Sequence, residues 1–93
     1  MKLRYTDRVI DELNLVFAWY EQQRRGLGFD FLDCIEAALQ NIIKSPEIYQ
    51  IRYSNFRSCV IRRFPFSIFY TIESDEIIVH SVFDNRQNPE KRP

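Results

Sequence analysis

The chain has 93 residues, of which 45% are hydrophobic and 15% aromatic, enough to build a dense core and too apolar for a disordered segment. Its length suits one domain, residues 1–93, because two cores would leave each half near the size where folding becomes marginal. Thirteen basic and thirteen acidic residues cancel, which excludes the uniformly cationic surface of a DNA-coating protein and makes any nucleic-acid contact local.

No apolar run approaches bilayer length, and charges at Lys2, Arg4, Asp7, Arg8 and Asp11 are unlike a secretory signal, so the expected location is the cytoplasm, with no membrane partner. Cys34, Cys59 and the lone His80 do not form a zinc-binding pattern. No metal or cofactor is expected, and both thiols are expected to be buried. Residues 1–50 hold six basic and eight acidic residues, whereas 51–93 hold seven and five. Four arginines and no acid fall between Arg52 and Arg63, followed later by Arg86, Lys91 and Arg92, so an arginine-rich edge is expected.

In chain order, Lys2 to Tyr5 alternates as a short strand. Thr6 caps a helix that carries Val9, Ile10, Leu13, Val16, Phe17 and Tyr20 at three- and four-residue spacing, runs to Arg24 and Arg25, and ends at Gly26. Leu15, Ala18 and Trp19 form a second apolar line, expected to pack on the next helix, with a surface for a partner as the alternative. Gly26-Leu27-Gly28 reads as a tight helix-to-helix turn. The second helix shows Phe31, Leu32, Ile35, Ala38, Leu39, Ile42 and Ile43 as its stripe, with Asp30 and Asp33 in its first turn, and Ser45-Pro46 stops it.

Four strands follow: Tyr49 to Tyr53, Arg57 to Arg63, Phe66 to Ile72 and Ile77 to Phe83, parted by Ser54-Asn55, Phe64-Pro65 and Ser74-Asp75. Strict alternation puts Phe66, Ile68, Tyr70 and Ile72 on one face, with Ile77, Val79, Ser81 and Phe83 together likewise. Residues 84–93 read as a polar, nearly structureless tail. The predicted fold class is α+β, in the order β-α-α-β-β-β-β, with a helix hairpin on one face of a mainly antiparallel sheet.

RNA cleavage without a metal needs a cation on the scissile phosphate and groups that accept and donate protons. Arg57, Arg62, Arg63 and Arg86 are candidates for the first role; Glu73, His80 and Asp84 are candidates for the second. Tyr49, Tyr53, Phe56, Phe64, Phe66, Phe69 and Tyr70 interleave with arginine in a manner that serves either base stacking or core packing.

Several segments, in this order, resemble the RelE/ParE family of toxins: Trp19-Tyr20-Glu21-Gln22-Gln23, Gly26-Leu27-Gly28, Phe31-Leu32, Pro46 with Tyr49, Arg62 to Tyr70, and Val82-Phe83 before Asn85-Arg86-Gln87-Asn88-Pro89. The resemblance spans nearly the whole chain. It implies the toxic half of a bacterial type II toxin–antitoxin pair, including plasmid stabilisation systems, held inactive by a cognate antitoxin. RelE-like members cleave mRNA on the ribosome, whereas ParE-like members block DNA gyrase. The Trp19-Tyr20-Glu21 and glycine segments are closer to ParE-like sequences, and Asp84 stands where a His is often found in related proteins. The implied function is therefore binding to gyrase and growth inhibition, with partner contacts at Leu15, Trp19, Arg57, Arg62, Arg63 and Arg86. Two alternatives follow from the same resemblance. One is a ribosome-dependent endoribonuclease using Arg62, Arg63, His80, Asp84 and Arg86; the other is an inactive relative that only binds antitoxin.

Overall fold

A computed structural model describes residues 1–93. Strand β1 (Lys2–Tyr5) leads into helix α1 (Asp7–Gln23) and helix α2 (Leu27–Lys44), and four strands follow: β2 (Ile51–Tyr53), β3 (Phe56–Val60), β4 (Phe66–Glu73) and β5 (Glu76–Asp84). They form one five-stranded sheet in the order β1-β5-β4-β3-β2. The β2 to β5 meander is antiparallel, while β1 joins the edge of β5 in parallel, which the long crossover through two helices permits. The expected α+β architecture therefore holds.

Thr6 caps α1 as expected, its hydroxyl accepting from the Val9 amide at 3.3 Å. The helix stops at Gln23, however, so Arg24 and Arg25 lie beyond its last turn. Gly26, at φ 90°, occupies the left-handed region and opens α2 one turn earlier than the stripe suggested; Asp30 is in its first turn and Asp33 is not. Glu21 of α1 supplies the cap that Gly26 lacks, its carboxylate accepting from the amides of Gly26 at 3.2 Å and Gly28 at 2.8 Å.

The core lies between the helix pair and one face of the sheet. Val9, Phe31, Ile42, Ile68, Tyr70 and Ile77 are fully enclosed, and Tyr20, Phe31, Phe64 and Phe66 interlock through edge contacts at centroid separations of 4.9 to 6.3 Å. Tyr70 donates from its hydroxyl to the Pro46 carbonyl at 2.6 Å, tying the α2–β2 loop to the middle of the sheet.

The strict alternation expected of the last strand fails. Ile68 faces Val82 and Tyr70 faces Val79, so one extra residue is accommodated in β5 between these pairs. This bulge turns Val82 into the core and leaves Phe83 on the opposite face, where it meets Phe69 at 6.0 Å. Glu12 of α1 closes the gap: it accepts from the Ser81 hydroxyl at 3.0 Å and from the Val82 amide at 2.9 Å. Strand β3 is also shorter than expected. It ends at Val60, and the chain from Ile61 to Pro65 forms a loop in which Arg63 adopts φ 68°. Of the two cysteines only Cys59 is buried; Cys34 is half-buried.

Candidate partner-binding site

The bulge also decides what surrounds Asp84. With Val82 facing the helices, Asp84 follows two residues later on the same side of β5, against α1. There Leu15, Val16, Trp19, Tyr20, Phe66, Asp84 and Arg86 line one open groove of about 240 Å³. Leu15 is 72% exposed and Trp19 51%, so the second apolar line of α1 is not consumed by α2, contrary to the expectation that it packs there. Trp19 meets Tyr20 in an edge-to-face contact at 5.1 Å. The groove is thus an apolar wall on α1 facing a charged end of β5.

That charged end is internally paired. Asp84 accepts from Arg86 Nε at 2.9 Å, from Nη2 at 2.8 Å and from the Arg86 amide at 2.9 Å, a forked arrangement that uses both carboxylate oxygens. Hydrogen bonding from Arg86 holds the Asp84 carboxyl below its ordinary range, against the opposing effect of burial. Asp84 is therefore an acceptor at any physiological pH.

The other candidate residues are placed elsewhere. Arg57 lies on the helix side of β3 and donates to the carbonyls of Glu47 at 3.0 Å and Tyr49 at 2.7 Å, fastening the loop before β2. Arg62 follows β3 and lines a separate cavity between α2 and β3, together with Cys34, Cys59 and Tyr49. Arg63 reaches Asp30 at 3.7 Å, where Arg24 also reaches the same carboxylate oxygen at 3.6 Å, and its guanidinium lies over the Phe64 ring. Neither Arg62 nor Arg63 is in a strand, contrary to the expected strand from Arg57 to Arg63.

His80 sits at the bulge on the face away from the helices, against Phe56 and half-buried. Thr71 gives its hydroxyl proton to Glu73 at 2.7 Å, which leaves His80 Nε2 as the donor to Thr71 at 2.8 Å. Burial lowers the His80 pKa, only partly offset by Glu73, whose carboxylate is 4.0 Å away. His80 is thus neutral near pH 7 and engaged by Thr71. Leu15, Trp19, Asp84 and Arg86 share one site; Arg57, Arg62, Arg63 and His80 lie apart from it.

On the same outer face a second polar cavity, lined by Arg52, Arg92, Asn85 and Gln87 among others, escaped sequence reasoning. Residues 84–93, expected to be nearly structureless, fold back to build it. Pro89–Lys91 make a 3₁₀ turn capped by Asn88, whose side chain accepts from the Glu90 amide at 3.0 Å, and Arg92 lies over the Tyr53 ring. The signal available was Asn88-Pro89, a helix-start pattern in a segment that polar composition alone marked as loose. Of the interleaved aromatics, Tyr49, Phe64, Phe66 and Tyr70 belong to the core or pack on it, while Tyr53, Phe56 and Phe69 group on this outer face.

No curated protein sequence matches the chain. Among solved structures, the chromosomal ParDE toxin–antitoxin system from P. aeruginosa superposes with a TM-score of 0.81 at 15% identity, covering 90% of this chain and 95% of that one. The intact E. coli RelBE toxin–antitoxin complex gives 0.68 at 18% identity, covering 92% and 98%. The isolated E. coli RelE toxin gives 0.69 at 17%, covering 96% and 88%. At such identities the likeness establishes the fold. The sequence carries the assignment further: the model of the family described as the ParE toxin of the type II toxin-antitoxin system, parDE, matches residues 3–89. The chain belongs to the ParE family of type II toxins.

Proposed function

We propose that this toxin acts by binding, with DNA gyrase as its target, and that a cognate antitoxin neutralises it by laying an apolar segment along α1 and the end of β5. The observation that carries this reading is the closed Asp84–Arg86 pair at the mouth of an apolar groove. A carboxylate held ionised by a forked guanidinium cannot release a proton, and the same ion pair spends the arginine that a scissile phosphate would need. Leu15 and Trp19 beside it present the exposed apolar surface that an amphipathic partner covers. The two solved toxin–antitoxin systems of the same fold favour an antitoxin as one such partner.

Purified protein mixed with gyrase, ATP and relaxed plasmid should suppress supercoiling, and added antitoxin should restore it. Undiminished supercoiling at large molar excess would remove gyrase as the target. Primer extension on translated mRNA should show no new ends; discrete breaks lost in Arg63→Ala and Arg86→Ala proteins would move the assignment to message cleavage. If induced expression without antitoxin leaves growth unaffected, the chain is a binding-only relative.

A further inference from the structure

We infer that the outer face of the sheet carries an anion site for a phosphomonoester, formed where the C-terminal segment crosses β2 to β5. This site lies on the opposite side of the sheet from the α1 groove and does not depend on which macromolecule that groove takes.

Arg4, Arg8, Arg24, Arg63 and Arg86 each have a carboxylate within 4 Å, and Arg57 is spent on two carbonyls. Arg25, Arg52, Arg62 and Arg92 have no carboxylate partner; of these, Arg52 and Arg92 line one cavity of about 260 Å³, and no acidic residue lines it with them. Arg92 gives its Nε–H to the Pro89 carbonyl at 3.2 Å and lies over the Tyr53 ring, contacts that leave its charge without a counter-ion. Two cations without a counter-charge in one concavity raise the local positive potential, a cost that an entering dianion reverses.

The neutral groups around them are donors as well. Ser67 donates to Asn85 Oδ1 at 2.8 Å, which leaves the Asn85 amide nitrogen unengaged. The side chains of Gln87 and Ser58 make no hydrogen bond within the chain, and all three residues line the cavity. A phosphomonoester, with about two negative charges above its second pKa near 6 and three terminal oxygens, matches two guanidinium groups and these donors in charge and number. A neutral solute or a cation does not match the charge. Val60, 61% exposed at the rim, and Pro89 give the carrier an apolar contact, and the volume limits it to something about the size of one nucleotide.

Arg52 belongs to the sheet and Arg92 to the C-terminal segment, so a shared anion bridges them. Binding should therefore fasten residues 86–92 to the sheet, where Arg92 already rests on Tyr53.

Titration of the full-length protein with 5′-AMP, inorganic phosphate, adenosine and a dinucleotide bearing only an internal phosphodiester tests the site, followed by calorimetry. We expect saturable 5′-AMP binding at or below about 1 mM, stronger at pH 7.5 than at pH 5.5 as the second phosphate ionisation completes, and no binding of adenosine. Inorganic phosphate binding as tightly as 5′-AMP would assign the affinity to the phosphate alone; weaker binding would add the carrier contact. Arg52→Ala and Arg92→Ala should each weaken binding by about tenfold or more. Arg25→Ala, which removes an arginine away from the cavity, should leave it unchanged. Amide exchange at residues 86–92 should slow on ligand addition. Equal losses in all three arginine variants would show diffuse charge attraction and overturn the site. So would adenosine binding like 5′-AMP, or the internal diester binding more tightly than the monoester. Circular dichroism of each variant separates lost binding from lost fold.

Discussion

Two tyrosines show how the same group contributes oppositely in different surroundings. The Tyr70 ring is fully enclosed and its hydroxyl has the Pro46 carbonyl as partner; the Tyr53 hydroxyl is buried with no partner at all. Replacing Tyr70 by Phe strands a carbonyl and should cost about 1–2 kcal/mol, whereas Tyr53→Phe removes an unpaid desolvation and should be neutral or stabilising. Urea unfolding of the two variants against the parent chain checks the contrast. At Gly28 a methyl group would meet the Phe17 carbonyl oxygen at 2.7 Å and the Phe17 ring at 2.8 Å, so Gly28→Ala should destabilise by about 1–3 kcal/mol, by forcing α1 and α2 apart.

His80 adds a pH dependence at this scale. Its folded pKa lies below the unfolded value, so the unfolded chain binds more protons as pH falls through that window. The stability associated with neutral His80 is present above the unfolded pKa of about 6.5 and is lost as pH falls through the lower folded pKa. The urea midpoint should therefore fall between pH 7.5 and 5, and His80→Gln should flatten that slope. Asp84, also depressed, acts in a separate, more acidic window: its contribution is present above its ordinary carboxylate pKa and disappears only as pH drops through the lowered one.

Among the elements, α1 carries two apolar stripes with different duties. Val9 and Tyr20 enter the core, while Leu15 and Trp19 remain at the surface. A surface substitution there costs little folding energy, and an interface loses an anchor when one is made. Leu15→Lys and Trp19→Ala should leave the unfolding free energy within about 0.5 kcal/mol of the parent while reducing antitoxin capture in a pull-down by the cognate partner. Retained capture by both would place the antitoxin on another surface. The periodicity of α1 was legible, including the existence of the second stripe. Its destination was not, because a helix 17 residues long offers more apolar arc than one neighbour covers. Likewise the stop of β3 at Val60 escaped the sequence: Ile61 to Arg63 has strand-like composition, yet Arg63 takes a positive φ and pairs with Asp30 of α2, a contact between residues 33 positions apart.

For the molecule as a whole, β4 and β5 lie inside the sheet, β2 is an edge strand, and the C-terminal segment crosses the outer face. Native-state amide exchange should be slowest along Ile68–Ile72 and Ile77–Val82 and fastest at Ile51–Tyr53 and residues 86–92, since marginal backbone opens without breaking the core. Pattern and capping residues in the sequence alone determined the order of elements, the helix hairpin and the antiparallel meander, because each depends on periodicity and turn chemistry within a few neighbouring positions. The family is legible by likeness of the sequence over residues 3–89. Only the tertiary structure decided that Asp84 and Arg86 meet Leu15 and Trp19, that Arg57 is spent on backbone carbonyls, and that Arg52 and Arg92 share a cavity. Those outcomes depend on one bulged residue in β5 and on the path of the C-terminal segment. A one-residue change of register moves every later side chain to the other face, and no local pattern announces it.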